Sequence, residues 1–170
     1  MSRDTPPPDQ FRSGFDSYLR TMHAPLTTLS DDEALFREAV AGFANEEVRP
    51  RVREMEREGK IDPDLIKKFF DMGLMGIEVG EQYGGAEGSL FMVAIGVEEI
   101  SKVDPAAAIL MDVQNTLVNY PIRAYGSDHI KSTYLPQLTG EKVGAYALSE
   151  PSSGSDAFGM LARTRRPSLP

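Results

Sequence analysis

The stretch from Pro105 to Ile122 constrains this chain most. Asp104 followed by Pro105 starts a helix, because an aspartate caps free backbone amides and a proline at the first helical position gives up only an amide that has no partner anyway. Leu110, Val113, Leu117, Val118 and Ile122 then make that helix apolar almost all the way round. A helix of this kind needs an interior, so other helices must surround it. Asp112, Gln114, Asn115 and Asn119 interrupt the apolar surface. Pattern leaves two places for them, the solvent side of the helix or the wall of a pocket, and the solvent side is the plainer reading.

Four further helices are expected around it. Ser30 with Glu33 has the spacing of a capping box, and Phe36, Val40, Phe43, Val48, Val52 and Met55 form an apolar stripe opposite Arg37, Glu46, Arg53 and Glu56, bent at Pro50 and ended by Gly59. Asp62 and Pro63 open a second helix with Leu65, Ile66, Phe69 and Phe70 inward and Gly73 as its stop. Ser89 caps another, carrying Met92, Ile95, Ile100 and Val103, and Ser127-Asp128 open the last, with Ile130, Tyr134, Leu135 and Leu138 inside and Gly140 as its end. From Gly73 to Gly88 there are six glycines, both ends included, and Gly84-Gly85 demands a turn, with Ile77 and Val79 extended. No Gly-Lys-Ser/Thr and no GxGxxG spacing occurs there, which sets aside a phosphate loop. At residues 142–149 the period changes: Val143, Ala145 and Ala147 alternate with Gly144, Tyr146 and Leu148, the pattern of a strand. The expected architecture is mostly α, five helices and then one strand, which reads as unfinished because a lone strand has two open edges.

Composition removes several classes of function. A formal net charge of -8 argues against nucleic acid and anionic lipid as partners. Without cysteine there is no disulfide, no thiolate metal site and no thiol nucleophile, and the two histidines, His23 and His129, are far apart and outside any metal-ligand spacing. No metal is expected. Charges break every apolar run short of a membrane span, and residues 1–26, which include Pro6, Pro7 and Pro8, read as a poorly ordered arm without the apolar core of a secretory signal. The expected location is the cytoplasm, with the mitochondrial matrix as the alternative.

The chemistry-bearing run follows the expected strand: Tyr146-Ala147-Leu148-Ser149-Glu150-Pro151-Ser152-Ser153-Gly154-Ser155-Asp156. Taken alone, its small residues make a turn whose amides and hydroxyls suit an anion. Its order closely resembles the flavin-binding signature of the acyl-CoA dehydrogenases. Met72-Gly73-Leu74-Met75-Gly76-Ile77, Glu81-Gln82-Tyr83-Gly84-Gly85, Glu98-Glu99-Ile100-Ser101-Lys102-Val103-Asp104 and Gln114-Asn115-Thr116-Leu117 are similar to the short/branched-chain type of that family, in the right order. The resemblance runs from about Leu29 to Asp156 and includes the helix with Lys131, Tyr134, Leu135, Pro136 and Leu138.

The resemblance implies the N-terminal helical domain of the acyl-CoA dehydrogenase fold at residues 27–141, then the first strand of an incomplete β domain with the flavin motif at 142–158. It implies FAD as cofactor, with Tyr146, Leu148 and Ser149 at the flavin ring and Gly154 and Ser155 completing the motif. For the acyl-CoA substrate it implies Ser155, together with Leu110 and Gln114 at the wall of the acyl pocket. The implied reaction takes a proton and a hydride from the α and β carbons of a short or branched acyl-CoA and leaves a trans-enoyl-CoA, with an electron-transferring flavoprotein as acceptor. The family's base is a glutamate in a C-terminal helical domain that this sequence does not contain. Glu98, Glu99 and Glu150 do not match it, so no catalytic residue is assigned.

After Phe158 the pattern departs from the family. Residues 159–170 form a basic tail with Arg163, Arg165 and Arg166 and no acid, as a frameshift or a premature stop would leave. The expectation is a partial dehydrogenase, truncated within its flavin motif, that binds flavin weakly or not at all and exposes the apolar surface meant for the rest. It would form a homo-oligomer only if that part is supplied. Two alternatives stand beside it: one half of a split dehydrogenase completed by a second chain, and a non-catalytic helical interaction module.

Overall fold

The computed structural model describes residues 28–162. The expected arm at 1–26 and the tail arginines Arg163, Arg165 and Arg166 lie outside the described residues. The fold is mostly helical, as expected: α1 Asp31–Phe43, α2 Val52–Glu58, α3 Pro63–Asp71, α4 Leu90–Ser101, α5 Pro105–Asp112, α6 Tyr120–Tyr125 and α7 Asp128–Gly140. Wide π-helical turns at Ala44–Val48 and Val113–Asn119 connect α1 towards α2 and α5 to α6, and the first continues through a 3-10 turn at Arg49–Arg51. The seven segments therefore form five rods, which are the five helices expected from sequence. None is long and apolar enough to cross a membrane.

Each rod starts where its capping residue stands. Ser30 and Glu33 form a reciprocal capping box at 3.3 and 2.8 Å. Asp62 accepts from the Asp64 amide at 2.9 Å, Ser89 from Met92 at 3.2 Å, Asp104 from Ala106 at 2.9 Å and Ser127 from Ile130 at 3.3 Å. Two rods stop on glycines with left-handed backbone, Gly59 at φ 64° and Gly73 at φ 74°. Beyond α3 the Leu74 amide reaches back to the Phe69 carbonyl at 3.0 Å and the Gly73 amide to Phe70 at 2.9 Å, which satisfies the last carbonyls. Gly140 behaves differently from expectation: it is the last helical residue, and the helix is ended by Glu141 at φ −151°.

The wide turns have a chemical cause. Each comes just before a proline, Pro50 and Pro121, whose missing N–H and bulky ring disrupt the ordinary four-residue ladder. The chain responds with five-residue bonds, Arg49 N–H to the Ala44 carbonyl and Tyr120 N–H to the Asn115 carbonyl. Side chains take up carbonyls near the turns: Asn45 donates to Ala41 at 2.8 Å, Asn115 to Met111 at 2.9 Å and the Thr116 hydroxyl to Asp112 at 2.8 Å.

α4 packs between α1 and α5, and α7 lies against α6 and the π-turn that precedes it. Val40, Ala44, Val48 and Met55 from the first rod meet Leu65 and Phe69 of α3, Val93 and Ile100 of α4, and Ala107, Ala108 and Met111 of α5 in one core. The Phe69 ring stands edge-on to Phe43 with centroids 5.2 Å apart. Leu74, Met75 and Ile77 enter the same core from the glycine-rich connection. Ile77 and Val79 are buried there in turns rather than extended. Their carbonyls accept instead from residues 87 and 88, Val79 from the Glu87 N–H at 2.9 Å and Ile77 from the Gly88 N–H at 2.7 Å.

An ion network ties α3 to the first wide turn. Glu47 meets Arg51 and Lys68, both at 2.9 Å, and Arg51 also meets Asp62 at 3.0 Å. The Lys68 ammonium, with Arg51 beside it, outweighs desolvation and holds the Glu47 carboxyl below the usual carboxylate range. A depressed folded-state pKa gives stability that is present above the unfolded pKa and lost as pH falls through the folded one. Glu47→Gln is therefore expected to lower the melting temperature at neutral pH and to lose that deficit on acidification. A deficit that stays constant down to strongly acidic pH would show that the pair contributes nothing.

Candidate functional site

The rod from α5 through α6 departs most from its sequence reading. Its polar residues were expected on the solvent side, yet Gln114, Asn115 and Asn119 are buried, at 0, 2 and 2% exposure. Leu110, Val113, Val118 and Ile122 are only half-buried, while Leu117, Tyr120 and, earlier on the rod, Ile109 are exposed. Backbone demand explains the inversion. The glycine-rich connection brings peptide groups into the core without a helix or sheet to pair them, and buried peptide groups need partners. Asn115 accepts from the Ile77 amide at 2.9 Å and donates to the Leu74 carbonyl at 2.8 Å. Asn119 donates to Met75 at 2.8 Å, and Arg123 spans the Glu78 carbonyl and carboxylate, both at 2.8 Å. These three side chains recur every four residues. That spacing was visible in the sequence as a polar stripe, but its inward direction was not.

Gln114 uses the same rod to hold the other end of the fold. Its Nε2 donates to the Leu138 carbonyl at 2.7 Å and the Lys142 carbonyl at 3.0 Å, and its Oε1 accepts from the Gly144 amide at 2.8 Å. Both polar atoms of the side chain are thus engaged with backbone. Leu110 is half-buried against the core.

Beyond Gly144 the expected strand is not formed. Residues 142–149 make no ladder, and the one bridge among the described residues joins Glu150 to Ser153. Alternation gives a strand its faces, but only a partner strand gives it hydrogen bonds, and none lies beside it among the described residues. The segment is consequently an open edge. Tyr146 and Leu148 are 46 and 37% exposed, and Ser149, Gly154 and Ser155 are exposed with them. The five residues expected at a flavin all lie between residues 146 and 155, and all are exposed.

Its turn is organised by residues outside those five. Glu150 and Ser153 exchange backbone hydrogen bonds at 2.9 and 3.1 Å. Ser153, buried at 4%, donates its hydroxyl to the Asp156 carbonyl. The Glu150 carboxylate accepts from the amides of Leu161 at 2.8 Å and Ala162 at 3.0 Å. Glu99 is paired with Lys102 at 2.8 Å. Both glutamates thus have structural partners.

Residues 30–142 match the family model for the acyl-CoA dehydrogenase N-terminal domain. A curated relative, the probable short/branched chain specific acyl-CoA dehydrogenase of Dictyostelium discoideum, is 48% identical over 144 residues, which cover 85% of this chain and 35% of that protein. Among solved structures, butyryl-CoA dehydrogenase from Megasphaera elsdenii superposes with a TM-score of 0.74 at 30% identity, covering 82% of this chain and 37% of that one. Glutaryl-CoA dehydrogenase from Mycobacterium smegmatis in complex with FADH2 gives 0.75 at 28% identity, covering 82% and 36%. The chain spans about a third of the length of the proteins it matches. A family model covering well over half of the residues, and a helical fold shared with solved dehydrogenases, make this chain a member of the acyl-CoA dehydrogenase family, matched over its N-terminal domain.

Proposed function

We propose that the chain forms the helical wall and the flavin-facing edge of an FAD-dependent acyl-CoA dehydrogenase acting on a short or branched acyl-CoA. The observation that carries this reading is the open segment 145–149, whose backbone amides and carbonyls have no partner among the described residues and whose Tyr146, Leu148 and Ser149 face outward. A planar heteroaromatic ring with hydrogen-bonding edges fits such a segment: Leu148 and Tyr146 offer apolar surface, and the Ser149 hydroxyl and free peptide groups offer donors and acceptors. When bound, the flavin supplies the hydride acceptor for α,β-dehydrogenation. In this reading Gly154 and Ser155 lie at the flavin's polar end, Ser155 also meets the acyl-CoA, and Leu110 lines the acyl side. No residue of this chain is assigned as the base.

The electron acceptor in this reading is an electron-transferring flavoprotein, and the location is the cytoplasm or, as the alternative, the mitochondrial matrix. One open edge is a small fraction of a cofactor site, so the 170-residue chain alone is expected to retain little or no flavin. Fused to the remaining two thirds of a short/branched-chain relative, it is expected to purify with flavin that branched short acyl-CoA bleaches. Tight stoichiometric flavin on the chain alone would overturn the weak-binding expectation. A folded fusion that takes up no flavin would overturn the functional reading.

A further inference from the structure

We infer that Gln114 is a positioning residue that sets the course of the flavin-facing segment. Its importance for function rests on the flavin reading above, but the positioning itself does not. The Leu138 carbonyl lies in the last turn of α7, where a helix leaves its carbonyls without intrahelical partners. Gln114 takes it up and, with the same amide, holds the Lys142 carbonyl and the Gly144 N–H, so that one immobilised side chain joins the end of a helix to the chain two and four residues beyond it. Full burial leaves that amide little freedom to follow the segment.

Steric fit fixes the same point independently. A Cβ on Gly144 would come within 2.3 Å of Val118 Cγ1, four residues along the rod from Gln114. Val118 has a β-branched side chain with little rotamer freedom in a helix, so it does not swing aside easily. The segment lies this close to the rod because residue 144 has no side chain. From Gly144 to the Glu150–Ser153 bridge no backbone hydrogen bond is made by residues 145–149 among the described residues. That leaves up to about 16 Å of extended chain steered from its first residue, since a strand rises about 3.3 Å per residue. A small rotation at Gly144 is therefore magnified at Leu148 and Ser149.

Spin labels test this cleanly, because the chain has no cysteine of its own. With labels at Ala147→Cys and Ile109→Cys, both exposed sites, the unmodified background is expected to give a narrow distance distribution. Gln114→Met keeps the volume, removes all three hydrogen bonds and is expected to broaden it. A control pair at Leu35→Cys and Ile109→Cys, which reports on the bundle, should stay unchanged. Gly144→Ala is expected to shift the mean of the first pair, and Val118→Ala added to it should restore the original value. An unaltered first distribution in Gln114→Met overturns the inference. If that variant does not fold, Gln114→Glu, which keeps an acceptor for the Gly144 N–H and loses both donated bonds, is read in its place, and an unaltered first distribution there overturns the inference. In the flavin-loading fusion, Gln114→Met should weaken flavin retention roughly tenfold. A fusion that binds no flavin even with Gln114 intact, while the labels respond, sinks the flavin reading and leaves the positioning role standing.

Discussion

Replacing Asn115 by alanine is expected to cost about 3–5 kcal/mol of folding stability, because it strips partners from several peptide groups in one stroke. Asn115 is 2% exposed, and its amide serves the Ile77 N–H and the carbonyls of Leu74 and Met111 at 2.8 to 2.9 Å. Leu74 and Ile77 are themselves fully buried, so water reaches those groups only if the loop leaves the core. Each buried group left unsatisfied costs roughly 1–3 kcal/mol, which is large against a total stability of about 5–15 kcal/mol for a domain of this size. Urea unfolding reads the total, and hydrogen exchange at the Ile77 amide reads the mechanism. A loss below about 1 kcal/mol, with Ile77 still protected, would mean the loop holds itself without Asn115.

Phe69→Ala is expected to have a comparable effect, about 3–5 kcal/mol, from a different cause. Phe69 has no exposed surface, stands edge-on to Phe43 and lies where α3 meets the first rod. Truncation removes buried apolar area and leaves a cavity that the wide turn and its ion network resist filling, because interiors are packed too tightly to collapse freely. Phe69→Leu, which conserves much of the volume, should cost under about 1.5 kcal/mol. Thermal unfolding of the two variants checks the order. If they lose equal stability, the loss comes from the aromatic pair and not from the cavity.

The two substitutions sample different kinds of information in the sequence. Phe69 belongs to a stripe whose period announces an inward face, so its burial was legible from Leu65, Ile66, Phe69 and Phe70 alone. Asn115 sits in the one rod where the pattern misleads. Hydropathy ranks Leu117 and Val113 as interior and Asn115 as surface, and the fold reverses the order because a polar side chain with buried peptide groups to satisfy gains more from burial there than an apolar one. The same applies to Gln114. Resemblance drew attention to it, but only the positions of Leu138, Lys142 and Gly144 in space gave it a physical task.

What the sequence determined by itself was local: five rods, each started by its own Ser or Asp cap, two of them stopped by glycines that adopt left-handed backbone, and a turn of small residues after Ser149. Those features rest on interactions within a few residues, which the order of side chains states directly. Tertiary structure alone decided which face of the rod from α5 through α6 is inside and which backbone groups between residues 138 and 144 its Gln114 holds. Each of these depends on backbone groups brought together from distant parts of the chain, whose need for hydrogen bonds is invisible until the fold places them side by side.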